Sequence, residues 1–253
     1  MGDSSTPASD AYGDAVYDLY DQTVDAYDYL ATDVECARLF ELASGGSVLE
    51  LGVGTGRLAI PLAGMGLNVT GIDVSDAMLR VLEHKPGGDR VRSLKADMAD
   101  LPTGAGSDYS LVYAIFQSFF CLLTQQQQTD CFAGVAQRLA PAGRFVIEGF
   151  VPPIAEFSNS HRMRLAGMGD DSINLTLSQH DPVRQRISSK LVFLTEGSIR
   201  VVPWEIRYAW PSELDLMAQM TGLALESRWQ DWTGAPFTKT STRHVSVYRQ
   251  HQA

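Results

Sequence analysis

The sequence has no run approaching the roughly 18 consecutive apolar residues that a membrane-spanning helix needs, so no helical anchor is expected. It is also short of positive charge. Lys and Arg total 20 against 30 Asp and Glu, a net charge of −10, and no Lys/Arg cluster stands out. Neutralising phosphates takes a basic face, so no nucleic-acid partner and no membrane surface is expected. There are only three cysteines, Cys36, Cys121 and Cys131, and no C-x-x-C. That odd number fits free thiols in a reducing compartment rather than a disulfide framework. The opening residues, MGDSSTPASD, lack the basic start and apolar run of a secretory leader. Residues 1–10 are therefore read as a disordered tail, and a cytoplasmic location is expected. No internal repeat is found. No spacing of His, Cys, Asp and Glu suggests a metal site, so none is expected.

What is present is an ordinary globular balance, 45% hydrophobic and 20% charged over 253 residues. A chain of that size buries a core without covalent staples. Tyr12, Val16, Leu19, Tyr20, Thr23, Tyr27 and Leu30 recur at helical spacing. A second helix is expected over 32–43, stopped by Ser44-Gly45-Gly46. Together they make an N-terminal helical cap over 11–46.

Strand and helix then alternate. Apolar runs at 47–53, 67–73, 90–97, 109–116 and 144–150 read as strands. Ser75 is expected to cap one intervening helix, and another over 124–139 stops before Pro141-Ala142-Gly143. Alternation of this kind predicts an α/β fold, a parallel sheet with helices on both faces. Residues 173–209 break the rhythm with three successive strands joined by DPVRQ and EGS turns. Trp204, Ile206 and Tyr208 alternate with Glu205 and Arg207, the mark of a strand with one buried face. Tight turns between consecutive strands mean an antiparallel β-meander. It is read as an insertion spanning 151–210 together with a lid-like stretch at 151–172. Residues 211–253 are expected to complete the sheet: a helix from Ser212 with Asp215 at capping-box spacing, then strands at 223–231 and 242–249.

The sharpest motif is Glu50-Leu51-Gly52-Val53-Gly54-Thr55-Gly56-Arg57, where the first strand meets a helix. Glycines there let the chain turn tightly and let a ligand approach the backbone. The spacing is G-x-G-x-G, and Arg57 stands where the G-x-G-x-x-G of a dinucleotide fold would place its last glycine. The G-K-[ST] of a phosphate-binding loop is absent. The next strand ends in Asp73, an acid placed to accept ribose hydroxyls. The third ends in Asp97-Met98.

In these motifs residues 47–150 resemble the Rossmann-like core of class I S-adenosylmethionine (SAM) dependent methyltransferases that act on small molecules. The wider layout resembles the amino-sugar N,N-dimethyltransferases of antibiotic pathways. The resemblance implies SAM as cofactor and a small-molecule acceptor. It places Glu50, Gly52, Gly54, Gly56 and Arg57 in the cofactor loop and Asp73-Val74 at the ribose. It puts Asp97 on the adenine amine with Met98 against the ring, and Phe116-Gln117 at the exit of the fourth strand. It also implies that Tyr17, Tyr20 and Tyr29 cover the methionine end of SAM.

No catalytic triad is found. Glu148, an acid at the end of an apolar strand, is the first candidate for base or ammonium holder, followed by His180 and His161. The strand-4 exit reads Ile115-Phe116-Gln117-Ser118-Phe119 and lacks the [ND]-P-P-[YF] of adenine-DNA and protein-glutamine methyltransferases. The expected reaction is methyl transfer to nitrogen or oxygen of a metabolite, with carbon less favoured. A SAM-binding protein that does not methylate and an NAD-dependent oxidoreductase remain open at this point. The meander's strand edges make it the expected contact of a homodimer.

Overall fold

Glycine-bounded apolar runs form the parallel strands β1 (Val48–Leu51), β2 (Val69–Asp73), β3 (Arg92–Lys95), β4 (Tyr109–Ala114) and β5 (Leu139–Phe150). They come from a computed structural model that describes residues 31–251 with Gly13, Asp14, Tyr17, Asp18, Tyr20 and Asp21. Tyr29 and most of the 12–30 helix expected from the sequence lie outside the described residues. Helix α1 (Thr32–Ala43) precedes β1, and α2 (Ala59–Gly64), α3 (Asp76–His84) and α4 (Gln125–Ala136) lie between the strands. Strands β6 (His161–Met168), β7 (Ser172–Asp181), β8 (Arg186–Thr195) and β9 (Ser198–Arg207) form a second sheet. Helix α5 (Pro211–Met220) leads back to β10 (Leu223–Trp229) and β11 (Arg243–Gln250), which extend the first sheet antiparallel beside β5. No helix among the described residues is long and apolar enough to cross a membrane.

The main sheet runs β3-β2-β1-β4-β5-β11-β10. The order reverses at β1, which pairs with β2 on one side and β4 on the other. Beyond the carboxyl ends of β1 and β4 a crevice must open, since their connections leave to opposite faces. The sheet also divides the core. Leu49, Val112, Phe132 and Phe145 pack on one face, and Val48, Leu62, Leu111 and Val146 on the other. Neighbours such as Leu111 and Val112 enter opposite clusters, as the two-residue period of a strand requires. Every residue of β1 is buried, as expected for a strand covered on both faces.

Several local expectations hold. Ser75 caps α3 by accepting from Met78 N–H, and helix 32–43 and the strands β7 to β9 form as read. Others are corrected. The stretch 151–172 contains β6, so the meander has four strands, not three. Helix α4 ends at Ala136 because Leu139 already pairs with Tyr109. Gln128, a polar residue of α4, is fully buried and donates to the carbonyls of Leu122 and Arg207. Helix α5 starts on Pro211 with no side-chain cap, and Asp215 accepts from Arg228 instead.

Arg207 is the largest departure from simple alternation, for its guanidinium is buried at 5% exposure. It donates to Gln128, to Gln185 at 2.9 Å and to Glu213 at 2.7 Å. One charge thereby joins the last meander strand to α4, to the β7–β8 turn and to α5. Removing one partner of a buried pair strands the other charge in low dielectric. Glu213→Ala is expected to lower the unfolding free energy by roughly 3 kcal/mol in urea titration, and a loss under about 0.5 kcal/mol, the scale of a surface site, would mark the pair as superficial.

Candidate functional site

The glycine loop leaves β1 by donating Gly52 and Val53 N–H to the Ile72 carbonyl, at 2.9 and 2.8 Å. Gly52 takes φ +73, and a Cβ there would sit 2.8 Å from the Ser118 Cβ. Gly54 takes φ +54 and passes bare beside the Tyr20 ring, which a Cβ would face at 3.9 Å. Gly52 thus needs glycine for conformation and for close approach, and Gly54 for conformation. Gly54 N–H donates to Asp73 Oδ2 at 2.9 Å, and Asp73 Oδ1 accepts from Ser75 N–H at 2.9 Å. Each carboxylate oxygen keeps a free lone pair for a further donor.

A cavity of about 790 Å³ opens at these strand exits. Gly52, Gly54, Asp73, Val74, Asp97 and Met98 line one half, with Tyr20, Phe116 and Gln117 at its middle. The other half is walled by the inward face of the meander and by the loop before β11. The cavity therefore spans both sheets.

Phe116 and Gln117 turn the chain at the β4 exit with φ +50 and +67, two successive left-handed residues that are not glycine. Such residues cost on the order of 1 kcal/mol each and persist only when neighbours hold them. Glu148 is one such neighbour: its Oε2 accepts from Phe116 N–H at 2.9 Å. The Arg57 guanidinium lies 5.9 Å from the Phe116 ring centre, and the Tyr20 ring meets it edge-on at 6.5 Å.

Several candidates stand elsewhere. Glu148 is 6% exposed and does not line the cavity, so it supports the turn from behind and is not placed to meet an acceptor. His161 is exposed on β6 with Nδ1 2.8 Å from the Asn159 carbonyl. His180 Nε2 lies 2.9 Å from the Tyr208 hydroxyl, and its ring stacks beside Phe157. Neither histidine lines the cavity. Nor do Glu50, Gly56 or Arg57: Arg57 pairs with Glu35 of α1, and Glu50 accepts from the Tyr113 hydroxyl at 2.8 Å. Tyr17 faces outward beside Arg80 and His84.

Wall residues missed from the sequence include Arg162, Arg164, Ser178, Ser189 and Lys239. The signal for Arg162 and Arg164 is their two-residue spacing, the period of a strand with one inward face. The described N-terminal residues also reach the site. Asp14 accepts from Ser75 Oγ and Asp21 from Thr55 Oγ1, at 2.6 and 2.7 Å. Asp18 accepts two 2.9 Å bonds from Arg200 of the meander. The segment thus bridges glycine loop, α3 and second sheet.

Comparison with known proteins agrees with this geometry. A methyltransferase domain family matches residues 48–143. The structure of the methyltransferase CcbJ from Streptomyces caelestis is 36% identical and superposes with a TM-score of 0.86. That match covers 97% of this chain and all of the other, 100%. The cypemycin N-terminal methyltransferase of a Streptomyces species is 28% identical over 242 residues, 90% of this chain and 96% of that protein. The sugar N-methyltransferase KedS8 from Streptoalloteichus sp ATCC 53650 shares the fold, with a TM-score of 0.67 at 21% identity over 99% of each chain.

Burial dominates the electrostatics of the strand exits. It raises the Asp73 carboxyl above its ordinary value, opposed by the N–H groups of Ser75 and Gly54. It raises Glu148 as well, opposed by Phe116 N–H. It pushes Glu50, 4% exposed, from 4.5 up to about 8, against the Tyr113 hydroxyl and the Arg57 charge. Between those two values the folded chain holds a proton that the unfolded chain has released. Stability contributed by the protonated Glu50 is therefore present in full below about pH 4.5 and lost as pH rises through about 8. Glu50→Gln is expected to flatten the fall in Tm between pH 5 and 8, and parallel curves for variant and parent would place Glu50 outside this effect.

Proposed function

As a member of the class I SAM-dependent methyltransferases, this chain acts on a small molecule, and we propose that the acceptor atom is an amine nitrogen. The observation that carries this reading is the single cavity that joins the strand exits to the meander wall. SAM supplies a methyl group on a sulfonium, which already contains its leaving group. The protein's task is then to align acceptor and methyl and to exclude water, worth several kcal/mol of barrier.

Each residue at the strand exits has a task in this reading. The bare backbone of Gly52 and Gly54 admits the amino-acid part of the cofactor. Asp73 accepts the ribose hydroxyls on its free lone pairs. Asp97 accepts the adenine amine, and Met98 packs on the ring. Val74 lines the cleft beside the ribose. Phe116 and Gln117 stand between the two halves, held in shape by Glu148. Tyr20 closes the cleft over Gly54.

Nitrogen is favoured over oxygen by what the acceptor half contains. Among the described residues it holds no histidine, and its one carboxylate, Glu156, is ion-paired with Arg162 at 2.7 Å. A neutral amine attacks without a strong base, whereas an alcohol or phenol needs one. One of the structures compared above is named a sugar N-methyltransferase, and the cypemycin enzyme is named for methylation at an N-terminus. Trp204, Leu191 and Ile206 offer an apolar wall for the acceptor's body.

The outward face of the meander exposes Met163, Leu165, Ile199 and Val201, which supports pairing of two copies through this sheet. Light scattering should return twice the chain mass, and Met163→Glu with Ile199→Glu should return the chain mass. A monomer in the parent would end the dimer assignment.

For the cofactor, Asp73→Ala should weaken SAM binding by roughly 1.5–3 kcal/mol in calorimetry, the scale of hydrogen bonds to a charged acceptor. For the acceptor, release of S-adenosylhomocysteine is expected with primary or secondary amines. Turnover confined to alcohols or phenols would overturn the nitrogen assignment.

A further inference from the structure

The chain is strongly acidic, yet the acceptor half of its cavity is not. The register of the second sheet sets Arg162 opposite Ser178, Arg164 opposite Thr176, and Ser189 opposite Trp204. All six line the cavity, so β6 points both arginines inward. From a different part of the chain, the loop between β10 and β11 brings Lys239, and the start of β11 brings Arg243, to the same cavity. Glu156 neutralises Arg162. Among the described residues no carboxylate lies within ion-pair distance of Arg164 or Lys239. Arg164 and Lys239 are exposed and so stand where the cavity meets solvent, and like charge gathered there repels itself and makes a local positive field. A chain with ten surplus acids has ample means to pair Arg164 and Lys239, and among the described residues it does not.

We propose that the acceptor carries an anionic group, a carboxylate or a phosphate, held by Arg164, Lys239 and Arg243. Its apolar body lies against Trp204 and Leu191, and its amine faces Phe116 and Gln117. This assignment rests on methyl transfer taking place in the cavity and adds the charge of the substrate. Steering follows as well: a cationic cleft on an anionic protein concentrates anions at its mouth and turns them toward the site.

The competing account of the arginines is protection, because inward charges on an edge strand such as β6 discourage pairing with another chain. Two dyes of similar apolar body separate these accounts. Anilinonaphthalene sulfonate is anionic and N-phenylnaphthylamine is neutral, and both are titrated into enzyme saturated with S-adenosylhomocysteine. The variant R164Q/K239Q/R243Q should bind the sulfonate more weakly by about tenfold or more, as for lost charge-assisted hydrogen bonds. It should bind the neutral dye and S-adenosylhomocysteine within about twofold of the parent. Displacement of the sulfonate by glutarate ahead of pyrophosphate assigns a carboxylate, and the reverse order assigns a phosphate. Unchanged sulfonate affinity in the variant, equal loss of both dyes, no sulfonate binding to the parent, or no displacement by either anion overturns the proposal. Failure of the parent to bind S-adenosylhomocysteine would instead sink the methyl-transfer reading itself.

Discussion

The Asp73 carboxylate ties together the segments on which the site depends. One oxygen takes the N–H of Gly54 and the other that of Ser75. The glycine loop after β1 and the start of α3 after β2 are thereby fixed to one point. Ser75 in turn caps α3 and donates to Asp14 of the N-terminal segment. A buried carboxylate is costly unless it accepts hydrogen bonds. Here the backbone amides that meet this need are the ones that shape the cleft. The strand-exit half of the cavity is thus held by hydrogen bonds within the chain, as a site that aligns reactants requires.

The β4 exit is held by a different device. Phe116 and Gln117 adopt left-handed backbone that their side chains disfavour. Glu148 accepts the Phe116 amide from inside the sheet, while Arg57 and Tyr20 flank the ring. The strain is balanced by contacts reaching in from α1's ion pair, from β5 and from the N-terminal segment. The residues between cofactor and acceptor halves therefore depend on three parts of the chain at once.

The acceptor half is built on a separate sheet that packs Ile187, Ile206 and Tyr208 into the main core and is tied down further by two arginines. Arg207 joins its last strand to α4 and α5, and Arg200 joins it to Asp18. A wall attached in this way can change its lining without disturbing Asp73 or the glycine loop. The two halves also differ in charge: Asp73 and Asp97 on the cofactor side, arginines and lysine on the other.

Local chemistry made much of this legible. The parallel strands, the meander, the Ser75 cap and the acids closing β2 and β3 follow from periodicity, turn residues and position, all confined to a few neighbouring residues. The lining of the cavity's strand-exit half was readable for the same reason, since Gly52, Gly54, Asp73, Asp97 and Met98 follow the ends of strands. Glu50, Arg57, Glu148 and His180 were not, because their roles depend on partners far along the chain, and His161 was not, because its place on β6 depends on the register of the second sheet. Glu148 meets Phe116, Arg57 meets Glu35, and His180 meets Tyr208. Period two says that Arg162 and Arg164 share a face of β6. It does not say which face, since a one-residue slip in register would turn both outward. The sequence by itself determined the fold class and the residues that stand at the strand exits. Only the tertiary structure decided which charges face the acceptor, because side-chain direction across two sheets is set by register and packing rather than by neighbours in the chain.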